Sequence, residues 1–306
     1  MEFSHETVLL KEAVDGLSVK EDGIYIDGTA GGGGHSFEIA KRLKNGRLFA
    51  LDRDPDAVTA AKTRLAGLPA EVIRSNYTEF DAVLKNFGYE KMDGMLLDLG
   101  VSSYQLDNPE RGFSYRSEAP LDMRMDKTGT SAGELLNTLS EAELAKIFYE
   151  YGEERYGGRI ARAVVRNRPL RTTTEFADVI SECLPAAAKR DGHPARRCFQ
   201  ALRIAVNGEL DAVSDVIGKA FDRLNVGGRI AIITFHSLED RIVKKAFAFF
   251  CTGCTCPPDF PVCVCGKTPA ARLVNKKPIV PSLEETENNP RSRSAKLRIL
   301  EKIKEV

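Results

Sequence analysis

A glycine-rich segment behind an acidic residue is the part of this 306-residue sequence best suited to bind a ligand. It runs from Asp27 to Gly34, after an apolar run typical of a strand and before helical spacing. Such a loop presents backbone N–H groups and a helix N-terminus at the carboxyl end of a parallel sheet, where nucleotides bind. Gly34 stands where a triphosphate-binding loop needs lysine, and no register gives the dinucleotide pattern Gly-x-Gly-x-x-Gly. The segment therefore argues against a triphosphate and against a nicotinamide dinucleotide.

Two further acids stand at the ends of predicted strands. Asp52 follows the second strand, and Asp98 lies at the end of the apolar fourth strand. The spacing Asp27-x-x-x-Gly31-x-Gly33 resembles the loop of S-adenosylmethionine-dependent methyltransferases, whose glycines let the backbone approach the methionine part of the cofactor. In that arrangement Asp52 accepts both ribose hydroxyls, Tyr77 flanks adenine, and Asp98 lies where the substrate binds. The pattern predicts S-adenosylmethionine as cofactor.

The elements that must position these residues alternate between strand and helix on both sides of a helical stretch. Predicted strands cover 23–27, 47–51, 71–74, 92–99 and 229–235, and a closing antiparallel pair covers 271–274 and 295–300. We predict an α/β protein with the class I S-adenosylmethionine-dependent methyltransferase fold, Rossmann-like with a mostly parallel sheet, and an inserted all-helical domain. The methyltransferase domain takes 1–107 and 209–306, and the insertion takes 108–208.

Composition limits the class of protein and its location. The hydrophobic share of 42% and the charged share of 29% are ordinary for a globular chain. No apolar run approaches the roughly 18 residues of a membrane-spanning helix. The N-terminus lacks the pattern of a secretory signal, so we expect a cytoplasmic protein that does not bind a membrane.

Charge is balanced overall but clustered locally. The chain has 44 basic and 44 acidic residues, which gives no general attraction to a polyanion. Six arginines and no acidic residue lie between positions 155 and 171, and Arg196, Arg197 and Arg203 follow in the insertion. We interpret this region as an RNA-facing surface, the alternative being a solvated helix face. A second basic patch is predicted at Arg291, Arg293, Lys296 and Arg298.

Many unusual blocks follow one another in one order along nearly the whole chain. They include Leu97-Asp98-Leu99-Gly100-Val101-Ser102-Ser103 and the segments 5–10, 25–29, 33–36, 52–55, 105–107, 111–114, 120–125, 151–155, 193–195, 199–204, 235–241 and 289–294. Together they resemble the bacterial 16S ribosomal RNA cytidine N4-methyltransferases, which act on the decoding centre of the small subunit.

The resemblance implies a reaction, a cofactor and a partner. The reaction is methyl transfer from S-adenosylmethionine to cytidine N4 of 16S ribosomal RNA, and it needs no metal. The near-neutral charge favours the assembled small subunit as the form acted on, and naked RNA stays open as the alternative. The implied cofactor contacts are Gly33, Gly34, His35, Asp52, Tyr77, Asp98 and Gln105. One alternative is a DNA amino-methyltransferase, against which the missing Pro-Pro-aromatic loop after strand four argues. Another is a non-catalytic ribosome-assembly factor, and the oligomeric state stays open.

The catalytic group is left open by the sequence. The N4 lone pair is delocalised into the ring, so catalysis needs acceptors that hold the amine hydrogens. Candidates are the backbone carbonyls of 99–101 and the side chains of Asp98, Ser102 and Ser103, although the serines are equally suited to cap the next turn. His236, which follows strand five, is a candidate for the target-base pocket, with Ser237 as the expected N-cap. His35 is either a cofactor contact or a structural residue at a helix start.

Five of the seven cysteines lie close together near the C-terminal end of the chain. They are Cys251, Cys254, Cys256, Cys263 and Cys265. Their spacing fits a zinc knuckle, whereas the tight Cys-x-Cys pairs and the lack of a nearby histidine favour a reduced loop packed by Phe260 and prolines. We assign no metal to them.

Overall fold

The computed structural model describes residues 7–186, 193–253, 256, 260, 262 and 264–305. The chain forms two compact units, and each is considered separately. The sheet unit takes Met1–Gly100 and Leu210–Val306, and the helical unit takes Val101–Glu209. Within the described ranges, no helix has the length and apolar character needed to cross a bilayer.

The sheet unit is built on seven strands. They are β1 Ile24–Asp27, β2 Arg47–Asp52, β3 Ala70–Arg74, β4 Met92–Asp98, β5 Leu224–Thr234, β6 Ala271–Leu273 and β7 Lys296–Lys302. Their order is β3-β2-β1-β4-β5-β7-β6. Strands β1 to β5 are parallel, and β7 runs antiparallel to β5 and β6. This is the topology of class I methyltransferases, so the predicted fold class is confirmed.

Thirteen α-helices lie in the described parts of the chain. In order they are α1 Leu10–Leu17, α2 Gly34–Ala40, α3 Pro55–Arg64, α4 Phe80–Asn86, α5 Ser103–Asp107, α6 Ala132–Thr138, α7 Glu141–Gly152, α8 Gly157–Arg166, α9 Thr173–Cys183, α10 Arg196–Asn207, α11 Glu209–Arg223, α12 Ser237–Cys251 and α13 Leu283–Asn288. Sequence analysis missed α1, which lacks a side-chain cap at its N-terminus.

The central strands of the sheet are buried on both faces. Alternate residues of β4 enter different cores: Met95 and Leu97 pack with residues of α4, α11 and α12, whereas Leu96 packs with residues of α1 and α2. This alternation is expected for a parallel sheet between two helical layers. Strand β5 begins at Leu224, five residues before the predicted start at 229, and its pairing with β4 shifts register there.

The helical unit has its own hydrophobic core. Phe148, Phe176 and Phe199 are buried in it, on α7, α9 and α10. Capping boxes at Ser131, Ser140 and Thr172 begin α6, α7 and α9. In each box the hydroxyl accepts the backbone N–H of a glutamate three residues on, so local sequence chemistry sets these helix starts.

The zinc-knuckle hypothesis falls partly outside the described residues, because Cys254 and Cys263 lie there. Cys251 ends α12. Among the described residues, Cys251 forms no disulfide.

Candidate functional site

Asp27 ends β1 and ties the glycine-rich loop to α2. Its Oδ1 accepts the backbone N–H of Thr29 at 3.1 Å, and its Oδ2 accepts the hydroxyl of Ser36 at 2.6 Å. The side chain is fully buried, and this burial raises its pKa to about 6 although the hydrogen bonds oppose the shift. Asp27 therefore sets the shape of the loop.

The glycines of the loop let its backbone approach neighbouring residues closely. Gly33 has φ +79°, a left-handed conformation that favours glycine. A Cβ at Gly34 would lie 1.8 Å from Oγ1 of Thr7, and one at Gly28 would lie 2.8 Å from Cβ of Tyr77. The same close approach places Tyr77 beside the loop. The loop is thus a cradle of backbone atoms, in which a side chain does not fit at Gly28 or Gly34.

Asp52 ends β2 and is anchored through both carboxylate oxygens. Oδ2 accepts the N–H of Gly31 at 2.8 Å, and Oδ1 accepts the N–H of Asp54 at 2.9 Å. Desolvation is the main cause that raises its pKa to about 6, and the charges of Asp54 and Asp27 add to it. Each oxygen keeps further acceptor capacity after one hydrogen bond. The carboxylate is therefore held in one orientation and can still accept hydroxyl groups.

Asp98 ends β4 beside the same loop. Its backbone N–H donates to Oγ1 of Thr29 at 2.6 Å, and its Oδ2 lies 3.8 Å from Nδ1 of His35. Oδ1 is buried and has no hydrogen-bond partner among the described residues. Desolvation, followed by the charges of Asp27 and Glu239, raises the pKa of Asp98 well above its ordinary value. The two charges that raise this pKa are both acidic, so a cationic group would be favoured here.

His35 is buried in the first turn of α2 and is neutral at pH 7. Its Nε2 lies 3.1 Å from the carbonyl oxygen of Val8. Because that carbonyl only accepts, Nε2 carries the proton and Nδ1 has a free lone pair toward Asp98. Burial lowers the pKa of His35 to about 4. The pair His35–Asp98 is therefore not an ion pair at pH 7, and His35 does not compensate the negative charge of Asp98 when that carboxyl is ionised.

The raised pKa of Asp98 makes the stability of the folded protein depend on pH. The raised pKa means that folded Asp98 holds its proton at pH values where the unfolded residue, with a pKa of about 3.9, has lost it. Stability is then lost as pH rises above the unfolded pKa. Asp98→Asn should raise Tm by about 2–4 °C at pH 7.5 and leave it unchanged near pH 4, as measured by thermal melting. A variant that melts lower than wild type at pH 7.5 would contradict this account.

Ser102, Ser103 and Gln105 lie in the helical unit at the start of α5. Oγ of Ser102 accepts the N–H of Gln105 at 3.2 Å, and Oε1 of Gln105 accepts the N–H of Ser102 at 3.0 Å. The sequence allowed Ser102 to be either an acceptor for the amine or a helix cap, and this capping box confirms that it is a cap. Ser103 is the first helical residue and is buried.

Ser102→Ala is therefore expected to act on stability. Loss of the cap should lower the free energy of unfolding by about 1 kcal/mol, measured by urea denaturation. The rate of methyl transfer per folded molecule should not change. Ser140→Ala removes a similar cap from α7 in the same unit and is the matched control. A tenfold loss of rate in Ser102→Ala alone would show instead that its hydroxyl takes part in the reaction.

His236 begins α12, and the expectation that Ser237 is the N-cap is wrong. Nδ1 of His236 accepts the N–H of Glu239 at 3.4 Å, while Oε2 of Glu239 accepts the N–H of Phe235 at 2.8 Å. Nε2 of His236 also lies 3.0 Å from Oε1 of Glu239. The imidazole replaces the serine because Glu239 is three residues after it, which completes a capping box.

Two contributors to the site were missed by sequence analysis. Thr29 links the loop to Asp98, and the buried Glu239 raises the pKa of that aspartate. Thr29 stands within the glycine-rich segment, and a capping pattern at Glu239 is visible in the sequence. Their relation to Asp98 depends on strand order, which the sequence does not display.

Some of the basic residues predicted to face RNA are paired with carboxylates instead. Arg203 makes a two-pronged pair with Glu209, with both distances 2.8 Å, and both side chains are largely buried. Arg298 pairs with Asp240 at 2.7 Å, and Lys296 lies 3.5 Å from the same carboxylate. Arg203 and Arg298 therefore serve the fold, contrary to the expectation, whereas Arg291 and Arg293 of the C-terminal patch are exposed.

Relatives of known name are similar along the whole chain. Ribosomal RNA small subunit methyltransferase H of Clostridium botulinum (strain Loch Maree / Type A3) is 51% identical over 309 residues, covering 99% of this chain and 100% of that protein. The protein of the same name from Heliobacterium mobile is 52% identical over 312 residues, with 99% and 100% covered. That from Brevibacillus brevis is 50% identical over 311 residues, with 99% of both covered.

A family model described as the MraW methylase family matches residues 2–303. The match spans both units and includes the loop and the three strand ends that carry the acids. A methylase with the class I sheet order uses S-adenosylmethionine as methyl donor, which confirms the predicted cofactor. The chain belongs to the MraW methylase family.

Proposed function

We propose that this protein transfers a methyl group from S-adenosylmethionine to the N4 amine of a cytidine in the decoding centre of 16S ribosomal RNA. The names of the relatives at about half identity, ribosomal RNA small subunit methyltransferase H, support the RNA substrate. We further propose the assembled small subunit as the form acted on, in the cytoplasm. The balanced charge of the chain supports this choice, since recognition then depends on shape more than on bulk attraction.

The observation that carries the proposal is the environment of the Asp98 carboxylate. One oxygen lacks a partner among the described residues, the nearest imidazole is neutral, and the charges that shift its pKa are acidic. A carboxylate oxygen that is buried without a hydrogen-bond partner is unfavourable unless a ligand compensates it. S-adenosylmethionine carries a sulfonium and an ammonium group and supplies an electrophilic methyl when bound. The charge of the site therefore fits this cofactor.

The remaining cofactor contacts are assigned by the same comparison of chemistry. The bare loop backbone suits the methionine part, the anchored carboxylate suits the ribose hydroxyls, and an aromatic ring beside the loop suits adenine. We therefore assign Gly33, Gly34 and His35 to the methionine part. Asp52 is assigned to the ribose, and Tyr77 to adenine. Gln105, in the helical unit, stays a prediction from the resemblance.

The chain must also make a weak nucleophile reactive. An acceptor that binds an N4 hydrogen concentrates the lone pair on nitrogen and stabilises the charge that develops there. Asp98 is our first candidate, because a bound cationic cofactor favours its ionised form, and the carboxylate can then accept an N4 hydrogen and the proton that leaves the methylated amine. Backbone carbonyls of Leu99 and Gly100 are the alternative within the sheet unit.

His236 is proposed to line the target-base pocket, and a conservative variant separates this role from capping. Asparagine is a good N-cap, so His236→Asn should keep the stability of α12. We expect kcat/KM for RNA to fall about tenfold or more in both His236→Asn and His236→Ala, with unchanged cofactor affinity. Wild-type kinetics in His236→Asn would show that the histidine only caps the helix.

The function is tested by offering three substrates. Small ribosomal subunits that lack the modification, naked 16S RNA and duplex DNA are each incubated with labelled S-adenosylmethionine. The proposal predicts label in the subunits. Label in DNA would favour a DNA amino-methyltransferase, and cofactor binding without transfer to any substrate would favour a non-catalytic assembly factor.

A further inference from the structure

The solvent face of α8 carries three arginines at helical spacing. Arg159, Arg162 and Arg166 are exposed and lie three and four residues apart, which places them on one side of the helix. The opposite side is buried in the core of the helical unit. The three arginines line a cleft of about 580 Å³, here called the arginine cleft. Its other lining residues are Ala163 of α8, Asn167 at the C-cap of α8, and Cys183 of α9.

The positive charge of this cleft is only partly compensated within the protein. Nε of Arg162 donates to Oε1 of Glu141 at 3.1 Å, between two well-exposed side chains, where an ion pair contributes little. Among the described residues, Arg159 and Arg166 have no hydrogen-bond or ion-pair partner. Like charges three and four residues apart disfavour a helix. The helix therefore tolerates repulsion that an anionic ligand would relieve.

Arg168, which follows α8, has a structural role instead. Nε of Arg168 donates to the carbonyl of Leu136 at 2.7 Å, and its Nη2 donates to the carbonyl of Leu139. These bonds satisfy carbonyl groups at the end of α6. Arg159 and Arg166 have no such task, so the cluster of six arginines contains two distinct groups.

The groups in the cleft match a sugar–phosphate backbone. Guanidinium groups bind phosphate oxygens with paired N–H donors. Asn167 donates its amide N–H to the carbonyl of Ala163 at 2.8 Å, which leaves the side-chain oxygen as an acceptor. A ribose 2′-hydroxyl can donate to such an oxygen, whereas DNA lacks this group.

We propose that the arginine cleft binds the ribose–phosphate backbone of the RNA substrate, through Arg159 and Arg166 with Asn167 as the contact to ribose. The proposal rests on the proposed function and identifies the part of the substrate that this surface takes. The cleft binds without reading base sequence and fixes the position of the RNA.

The test compares two double variants of the full-length protein. Arg159→Gln/Arg166→Gln removes the two unpartnered charges, and Arg116→Gln/Lys146→Gln removes two other exposed charges from the same unit. Binding to unmodified small subunits and to naked 16S RNA is measured by filter retention between 50 and 300 mM salt, values chosen to span the range over which phosphate contacts weaken. Arg159→Lys/Arg166→Lys keeps the charge and checks that the helix tolerates substitution.

We expect the first double variant to raise Kd about tenfold for both RNA forms and to reduce the slope of log K against log salt by about two. The control variant and the lysine variant should keep the wild-type slope. An unchanged Kd in the first variant, or an equal loss in the control, would overturn the proposal. Loss of binding to subunits but not to naked RNA would point to an acidic protein ligand and overturn it as well.

Failure of the reaction is recognised separately. If wild-type protein forms no methylated nucleoside but binds RNA through Arg159 and Arg166, the arginine cleft is confirmed and the proposed function is wrong. If transfer occurs and the first variant transfers with wild-type KM, the function stands and the cleft assignment is wrong.

Discussion

Asp98→Asn should lower the rate of methyl transfer by about two to three orders of magnitude while the protein stays folded. The substitution removes the charge and half of the acceptor capacity at the end of β4, beside the loop cradle. It replaces a carboxylate oxygen that has no partner among the described residues, so no described hydrogen bond of that atom is lost. Steady-state transfer to small subunits gives the rate, and calorimetry gives the affinity for S-adenosylmethionine.

The two readouts separate the two roles proposed for Asp98. A fall in kcat with nearly normal cofactor affinity would identify it as the acceptor for the amine. A fall in cofactor affinity with normal kcat at saturation would identify it as a contact to the cationic cofactor. A variant that is normal in both measurements would remove Asp98 from the site.

Asp93→Asn is the matched control for this experiment. Asp93 lies near the opposite end of the same strand, where its Oδ2 accepts the N–H of Ile24 at 3.0 Å and its Oδ1 accepts Nζ of Lys20 at 3.2 Å. The variant makes the same chemical change at the edge of the sheet away from the loop. We expect wild-type rates from it. Equal loss in both variants would mean that the effect travels through the strand.

Asp52→Ala should weaken binding of S-adenosylmethionine by about 100-fold. Two hydroxyl groups that donate to a carboxylate contribute roughly 3 kcal/mol together to the binding free energy. Because about 1.4 kcal/mol corresponds to a tenfold change in Kd, their loss corresponds to about 100-fold. Calorimetry measures the change directly. Glu71→Ala removes an exposed carboxylate from the adjacent strand β3 and should bind the cofactor normally. Unchanged affinity in Asp52→Ala would contradict the assignment of the ribose site.

The same prediction has a pH signature. The pKa of Asp52 is about 6 before the cofactor binds, and only the ionised form is a pure acceptor for two hydroxyls. Wild-type affinity should therefore weaken as pH falls below about 6, by up to tenfold per unit. Asp52→Ala should lack this dependence on the carboxyl group.

Local patterns explain what could be predicted. Glycine spacing and apolar runs are set within a few residues, so the loop and the strand ends at Asp52 and Asp98 could be found in the sequence. Helix α1 has no capping side chain to mark its start, and Leu9 before it has φ +50°. Its position follows from burial of Ala13, Val14 and Leu17, which only the assembled sheet explains.

Relations between distant residues could not be predicted. Thr29 and Asp98 are 69 positions apart, and they meet because β1 lies beside β4. The neutral state of His35 and the raised pKa of Asp98 depend on burial and on neighbours of the folded site. The sequence therefore identified residue types at strand ends, and the fold determined their charge states.

The most direct test of the central claim is the identity of the methylated nucleoside. Unmodified small subunits are methylated with S-adenosylmethionine carrying a heavy-isotope methyl group, and the RNA is digested and separated by mass against synthetic standards. The account predicts the label in N4-methylated cytidine, from a cytidine of the decoding centre in 16S RNA. Label at a ring carbon, on ribose or in another base would contradict it.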